Sequence, residues 1–281
     1  MEFTKSVIEI IKERKSARTY NSTRSIEAYK KEAILQCLKE YSGESYRFEF
    51  VEKNVQVKGE KLGTYGWIKG AHAFIVGIID ASHEDVKGKT VDFGYTLEKI
   101  ILKATDLGLG TCWMVSTFNT KHFLKRLLLK ENERIAIISP LGYSAEKRSI
   151  IEKVTRGVAK SDSRRPWEEM FFHETTKHPL SRNEAGDYEI PLEMLRLAPS
   201  ASNTQPWRII KQEDCFNIYL DKEKALKRFS HHCGYNDIGI AMCHFDLSAS
   251  ELGLKGHWAY DNNMDDLQDA NYEYISSWHI A

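Results

Sequence analysis

The amino-acid sequence predicts a mixed α/β fold in two related halves, and three observations predict it. Strand-like and helix-like periodicities alternate along the 281 residues, one segment repeats without gaps, and residues 144–189 are rich in charge but poor in pattern. The repeat places Asp92 on Asp237, an offset of 145, and aligns DFGYTLEKIILKATDLGLGTCW with DIGIAMCHFDLSASELGLKGHW at eight identities in 22 positions. A second correspondence, ILQCLKEYSGESYRF with PLEMLRLAPSASNTQPW, keeps Leu35/Leu192 and Leu38/Leu195 in step. Two amphipathic helices stopped by glycine can coincide by chance, but here the order of elements repeats as well. The pattern implies an internal duplication packed as a pseudo-dimer, with a first half over residues 1–180 and a smaller second half over 181–281.

Taken in order, Phe3, Val7, Ile8 and Ile11 share one helical face, with Ser6 and Glu9 at capping-box spacing. A second helix spans about Ser25 to Tyr41, its stripe formed by Ile26, Tyr29, Ala33, Cys37 and Tyr41. RFEFVEKNVQV alternates and AHAFIVGIID is continuously apolar, so both read as strands, the second more buried. DFGYTLEKIILKATDLGLG reads as a helix stopped by Gly108 and Gly110, TCWMVS as a strand, NTKHFLKRLLLK as a short helix and RIAIISPLGY as a strand. Residues 144–189 are expected to be a long crossover. After them IPLEMLRLA reads as a helix, WRIIKQEDCFNIYLD as a hairpin, DIGIAMCHFDLSASELGL as a helix and GHWAY as a strand.

Composition narrows the class of molecule. With 42% hydrophobic and 28% charged residues the chain is that of a globular protein. Forty basic residues balance forty acidic ones, which gives no bulk attraction to nucleic acid or to an anionic membrane. Five scattered cysteines with no Cys-x-x-Cys fit neither a disulfide framework nor a zinc site, and no metal is expected. The opening MEFTKSVIEIIKERKSARTY reaches charge too soon for a signal peptide, and no apolar run spans a bilayer, so a cytoplasmic protein is expected. Ser-His-Asp order, His-Glu-x-x-His and a glycine phosphate loop are all missing from the sequence. The pair His231 and His232 reads as exposed loop histidines.

Two stretches carry candidate chemistry. The first helix ends in ERKSARTY, where basic residues complement a helix dipole. Arg14, Ser16 and Arg18 also alternate, and in an extended segment that spacing aims two guanidiniums and a hydroxyl at one anion. The second stretch is PSASNTQPW, where Ser and Asn can cap turns, but capping does not explain Gln-Pro-Trp. Amides that donate and accept at once can read a pyrimidine-like edge. SRRPWEEMFF adds Arg164 and Arg165, either a solvated charge run or a further arm on an anion.

Together RKSAR, LGLGTCW, SRRPWEEM and APSASNTQPW resemble the nitroreductase family of FMN-dependent oxidoreductases, and more closely its putative-nitroreductase branch with two halves in one chain. The resemblance covers most of the chain and implies a three-layer nitroreductase-like α/β fold. It implies that Arg14, Lys15, Ser16 and Arg18 hold FMN at its phosphate, ribityl chain and pyrimidine side. Pro199, Ser200, Ala201, Ser202 and Asn203 would approach from the other half, with Gly110, Thr111 and Cys112 beside the ring and Arg164 and Arg165 returning to the phosphate. The implied activity is two-electron transfer from NADH or NADPH through FMN to a nitroaromatic, quinone or similar small acceptor. The sequence departs from the homodimeric pattern of the family because each motif occurs once. One flavin site per chain follows, a monomer suffices, and a flavin- or ligand-binding protein with little turnover stands as the alternative.

Overall fold

The computed structural model describes residues 1–53, 63–82, 86–146, 149, 152, 157, 163–226, 231–262, 264, 267 and 271–281. Two compact units emerge. Met1–Lys5, Glu13–Val86 and Lys99–Val158 make the first, and Ser6–Lys12, Lys87–Glu98 and Ala159–Ala281 make the second. The units trade segments, so no single boundary near residue 180 separates them.

Helix α1 (Val7–Glu13) lies almost wholly in the second unit. The first unit holds α2 (Ala28–Glu40), β1 (Tyr46–Glu52), β2 (Ala73–Asp80), the C-terminal part of α3 (Val86–Asp106), β3 (Gly110–Thr111), α4 (Thr120–Leu124) and β4 (Glu133–Gly142). Its sheet runs β1-β2-β4-β3 with antiparallel neighbours throughout. The apolar run of β2 is buried without interruption from Ala73 to Ile78, as expected of a central strand covered on both faces. Val51, Phe74, Val76, Ile78, Met114, Phe118, Phe123 and Ile138 form one core, with the Phe74 and Phe123 rings edge to face at 5.4 Å. Asn119 caps α4 by accepting the Lys121 amide at 3.1 Å.

Two expectations for this unit need correction. Helix α2 begins at Ala28 and buries Ile34, Cys37 and Leu38, while Tyr29, placed in the stripe, is 65% exposed in the solvated first turn. Of TCWMVS, only Thr111 lies in a strand, the two-residue Gly110–Thr111, followed by a bridge from Met114 to Ile138. The later part of RFEFVEKNVQV lies outside the described residues.

In the second unit, β5 (Phe171–His173), β6 (Thr175–Pro179), α5 (Arg182–Ala185) and α6 (Glu189–Arg196) precede the hairpin β7 (Trp207–Gln212) and β8 (Cys215–Asp221). Then come α7 (Lys222–Leu226), α8 (His231–Glu251), β9 (Gly256–Ala259) and β10 (Tyr272–Ile280). Residues 144–189 are therefore not a patternless crossover, since two strands and a helix lie within them. His231 and His232 belong to the backbone of α8, not to a loop. The sheet order is β6-β5-β7-β8-β10-β9, and all pairs except β5–β7 are antiparallel. Phe245 on α8 packs its ring 5.2 Å from Trp278 and 5.4 Å from Trp258, and Trp207 is fully buried.

The two units, each taken alone, share a plan. β7-β8-β10-β9 repeats the strand sequence of β1-β2-β4-β3. Helices α3 and α8 are both 21 residues long, and both their first and last residues differ by the offset of 145. Gly108 and Gly253, also 145 apart, follow them at φ 73° and 74° in the left-handed conformation that ends a helix. Among the described residues no helix is long and apolar enough to cross a membrane.

Within the second unit α3 crosses α8 backbone against backbone. A β-carbon on Gly94 would overlap the carbonyl oxygen of Asn236, and one on Gly239 would overlap that of Val91. Gly94 and Gly239 are 145 apart, and so are Val91 and Asn236, so each helix offers the other the same pair of positions. Close by, the buried His244 places Nε2 3.0 Å from Glu98 Oε1 and Nδ1 3.0 Å from the Met194 carbonyl, joining α8 to α3 and α6. Gly239→Ala is expected to lose about 1–3 kcal/mol or more of stability by overpacking, measured by denaturant unfolding. An unchanged midpoint would show that the helices part without cost.

In the first unit Arg47 grips Glu133 through Nε at 2.8 Å and Nη2 at 2.9 Å, which holds the Glu133 carboxyl down at about 2. A lowered folded-state pKa stabilises above the ordinary carboxylate range and loses that contribution as pH falls. The stability advantage of the wild type over Glu133→Gln is therefore expected to be full at neutral pH and to vanish as pH drops from about 4.3 to about 2. Urea melts across that range check it, and an advantage that does not change with pH would contradict it.

Candidate functional site

In the first unit the segment after α1 runs extended through other strands. The Ala17 amide donates to the Thr111 carbonyl at 2.8 Å, and Ser16 bridges Thr111 in parallel register. The Tyr20 amide donates to Lys69 O at 2.8 Å, the Lys69 amide donates to Arg18 O at 2.9 Å, and Tyr20 bridges Ser144. Ala17 and Tyr20 are buried and anchor the segment. Gly110 is required by close approach: a β-carbon there would overlap the Ser144 hydroxyl and lie 2.9 Å from that of Ala17.

This route gathers Arg14, Ser16 and Arg18 around Cys112. The buried thiol is pushed up by desolvation, and Arg18, a hydrogen bond with Ser16, and Arg14 oppose that shift. Thr111 and Cys112 are buried, whereas Lys15 is exposed. Arg18 Nη1 is buried and has no hydrogen-bond partner among the described residues. Such a donor in a protein interior calls for an acceptor. Two groups missed in the sequence adjoin the set. Glu152 is buried and accepts from Thr19 Oγ1 at 2.8 Å. Tyr20 is raised well above its ordinary value by burial, then by Cys112 and Glu152, with Arg18 opposing. Nothing in the pattern around Glu152 marks it in the sequence, where it lies within the charged stretch 144–189.

The second unit holds the PSASNTQPW loop, built as a stitched arch. Ser202, Asn203 and Gln205 adopt φ of 51°, 58° and 49°. Three non-glycine residues in the left-handed region over four positions mark local backbone strain. Hydrogen bonds hold it: the Asn203 amide donates to Ser200 O at 3.0 Å, and the Gln205 amide to Ser200 Oγ at 2.8 Å. The Ala201 amide reaches both carboxylate oxygens of Asp237 on α8, each at 3.0 Å. Gln205 accepts the Arg165 amide at 2.9 Å and donates to Asn203 O at 3.3 Å. Pro199, Ser200, Ala201, Ser202 and Asn203 are half-buried.

Arg164 and Arg165 join this arch. Arg164 donates to Leu197 O at 2.9 Å and to Asn203 Oδ1 at 3.4 Å, while Arg165 pairs with Glu169 at 3.1 Å. Asn203 Nδ2 donates to Ser163 O at 3.1 Å. Expected as ligand contacts, these groups tie residues 163–165 to the loop. Below the arch the buried Arg208 donates to Gln205 O at 3.2 Å and Trp207 O at 2.6 Å, and pairs with Asp221 at 3.0 Å.

The mixed α/β chain with these two sheets has a nitroreductase-like fold. The chain belongs to the family described as "Putative TM nitroreductase", whose model matches residues 6–249, and a family of that kind is one of oxidoreductases. The chain is similar in structure to a putative nitroreductase from Thermotoga maritima, at 20% identity and TM-score 0.60, covering 100% of this chain and 96% of that one. An FMN-dependent nitroreductase from Clostridium difficile aligns at 25% identity and TM-score 0.41, over 50% of this chain and 90% of that one. A nitroreductase with bound FMN from Desulfitobacterium hafniense aligns at 21% identity and TM-score 0.41, over 52% of this chain and 92% of that one. No curated protein matches the chain in sequence.

Trp207 anchors the arch from below and is fully buried. Trp207→Ala is expected to cost about 3–5 kcal/mol of stability. Denaturant unfolding measures it, and a loss below about 1 kcal/mol would remove Trp207 from the loop's foundation.

Proposed function

We propose that the chain is an FMN-dependent oxidoreductase that passes two electrons from NADH or NADPH to a small electrophilic acceptor such as a nitroaromatic or a quinone. The observation that carries this reading is the set Arg14, Ser16 and Arg18 around Cys112, with Arg18 Nη1 buried and unpartnered among the described residues, in a member of a nitroreductase family. That donor set fits an anionic cofactor. Bound FMN would supply the hydride chemistry, and the protein binding, orientation and electrostatics. The guanidiniums of Arg14 and Arg18 would neutralise an anionic group of FMN, and the Ser16 hydroxyl would donate to it. Burial keeps the Cys112 thiol protonated, so it adds no negative charge beside them.

The loop Pro199–Asn203 is the second set of FMN-binding residues in this reading, and Arg164 and Arg165 beside it are a further pair of arms on the FMN phosphate. A duplicated chain belongs to the same reading, supported by the shared strand order and the helix bounds 145 residues apart. Because RKSAR and PSASNTQPW each occur once, one FMN per chain is expected.

A visible spectrum of the purified protein, before and after anaerobic NADH or NADPH, tests the proposal. Yellow protein that bleaches supports it; yellow protein reduced by neither nucleotide favours a flavin-binding protein with little turnover; protein that takes up no FMN ends it. Arg18→Ala is expected to weaken FMN binding by about 1.5–3 kcal/mol, the range for hydrogen bonds to charged groups, with a smaller loss for Ser16→Ala. Flavin titration reads both, and wild-type affinity in Arg18→Ala would remove Arg18 from the site.

A further inference from the structure

Asp237 has no evident reason to be where it is on grounds of stability. It is 5% exposed, and burial pushes its carboxyl well above the ordinary range. Among the described residues no cation pairs with it, and the Ala201 amide is its one hydrogen-bond donor. A buried carboxyl group held by a single donor costs folding free energy, and an apolar side chain of similar size would pack there more favourably.

The Ala201 bond differs in kind from the others in the arch. Those to Ser200, Asn203 and Gln205 close the loop on itself, on residues 163–165 or on Arg208 at the start of β7. Asp237 refers the loop instead to a 21-residue helix, two positions before Gly239, where that helix is pinned against α3. The residue one repeat earlier supports the contrast. Asp92 stands exposed, and the first half carries YSGESYRF in place of the PSASNTQPW loop.

We propose that Asp237 is a positioning residue for FMN binding, holding the strained loop Pro199–Asn203 in its binding conformation through the Ala201 amide. The proposal rests on the FMN reading given above. Asp237 touches no ligand in this scheme; it acts by fixing Ala201.

The test compares wild type, Asp237→Ala and Asp237→Asn by FMN titration, visible circular dichroism of the bound flavin, and unfolding of the apoprotein. Asn keeps one oxygen acceptor for the Ala201 amide, so Asp237→Asn is expected to bind FMN within about threefold of wild type. Asp237→Ala is expected to lose at least about tenfold in affinity and to change the flavin circular dichroism. Its apoprotein should be no less stable than wild type, which a purely structural role would not allow. Wild-type affinity in Asp237→Ala, or equal losses in the Ala and Asn variants, overturns the proposal. If Asp237→Ala does not fold, Ala201→Pro removes the same hydrogen bond from the donor side, and wild-type FMN affinity in it overturns the proposal equally. Failure of the wild type to take up FMN is a distinct result: it overturns the FMN reading, and this proposal with it.

Discussion

Two helices can lie backbone against backbone only where neither carries a β-carbon at the crossing, and the second unit is organised around such a point. Gly94 and Gly239 remove the obstruction, and the Asn236 and Val91 carbonyls fill the space. The approach lets Glu98 and His244 meet in the fully buried region between the helices and brings in the Met194 carbonyl of α6. Helix α6 leads directly into the strained loop, and Asp237 lies within one turn of Gly239. The conformation of the loop therefore descends, through a few hydrogen bonds, from a steric condition at two glycines.

The two candidate sets use their polar groups differently. In the second unit Arg164, Asn203 and Gln205 donate to carbonyls of their own unit, which fixes a backbone shape that three left-handed residues resist. In the first unit the backbone is settled by ordinary bridges at Ser16, Thr19 and Tyr20. The side chains there are left to set the electrostatics, and two guanidiniums outweigh the single buried carboxylate of Glu152. One arrangement supplies a shape and the other a charge.

Much of the fold was legible in the sequence where periodicity and glycine punctuation agreed. The run AFIVGIID, the helix ended by Gly108 and the hairpin at Glu213–Asp214 all formed as their local chemistry directs. Strand β10 escaped because YEYISSWHI buries five consecutive residues, Tyr274 to Trp278, so its alternation is blurred. Strands β5 and β6 escaped because their residues are short runs among charges, and their pairing partners lie elsewhere in the chain. In the candidate site, the alternation of Arg14, Ser16 and Arg18 is legible in the sequence, and all three act on Cys112. Glu152 and Asp237 gave no such signal, since a carboxylate in a charged stretch or on a helix looks solvated until its burial is known. Asp237 was visible only as a repeated letter.

The exchange of segments between the units has a consequence for how the chain folds as it is made. Ser6–Lys12 and Lys87–Glu98 leave the ribosome well before Ala159–Ala281, the bulk of the unit they belong to. Domains commonly fold in order of synthesis. Here the first unit can close around Lys99–Val158 while α1 and the middle of α3 still lack their partners, with Ile10, Ile11 and Leu97 awaiting cover. Gly94 is held open for a helix that does not yet exist. A nascent chain stalled between the two units would thus display apolar side chains that the finished protein buries.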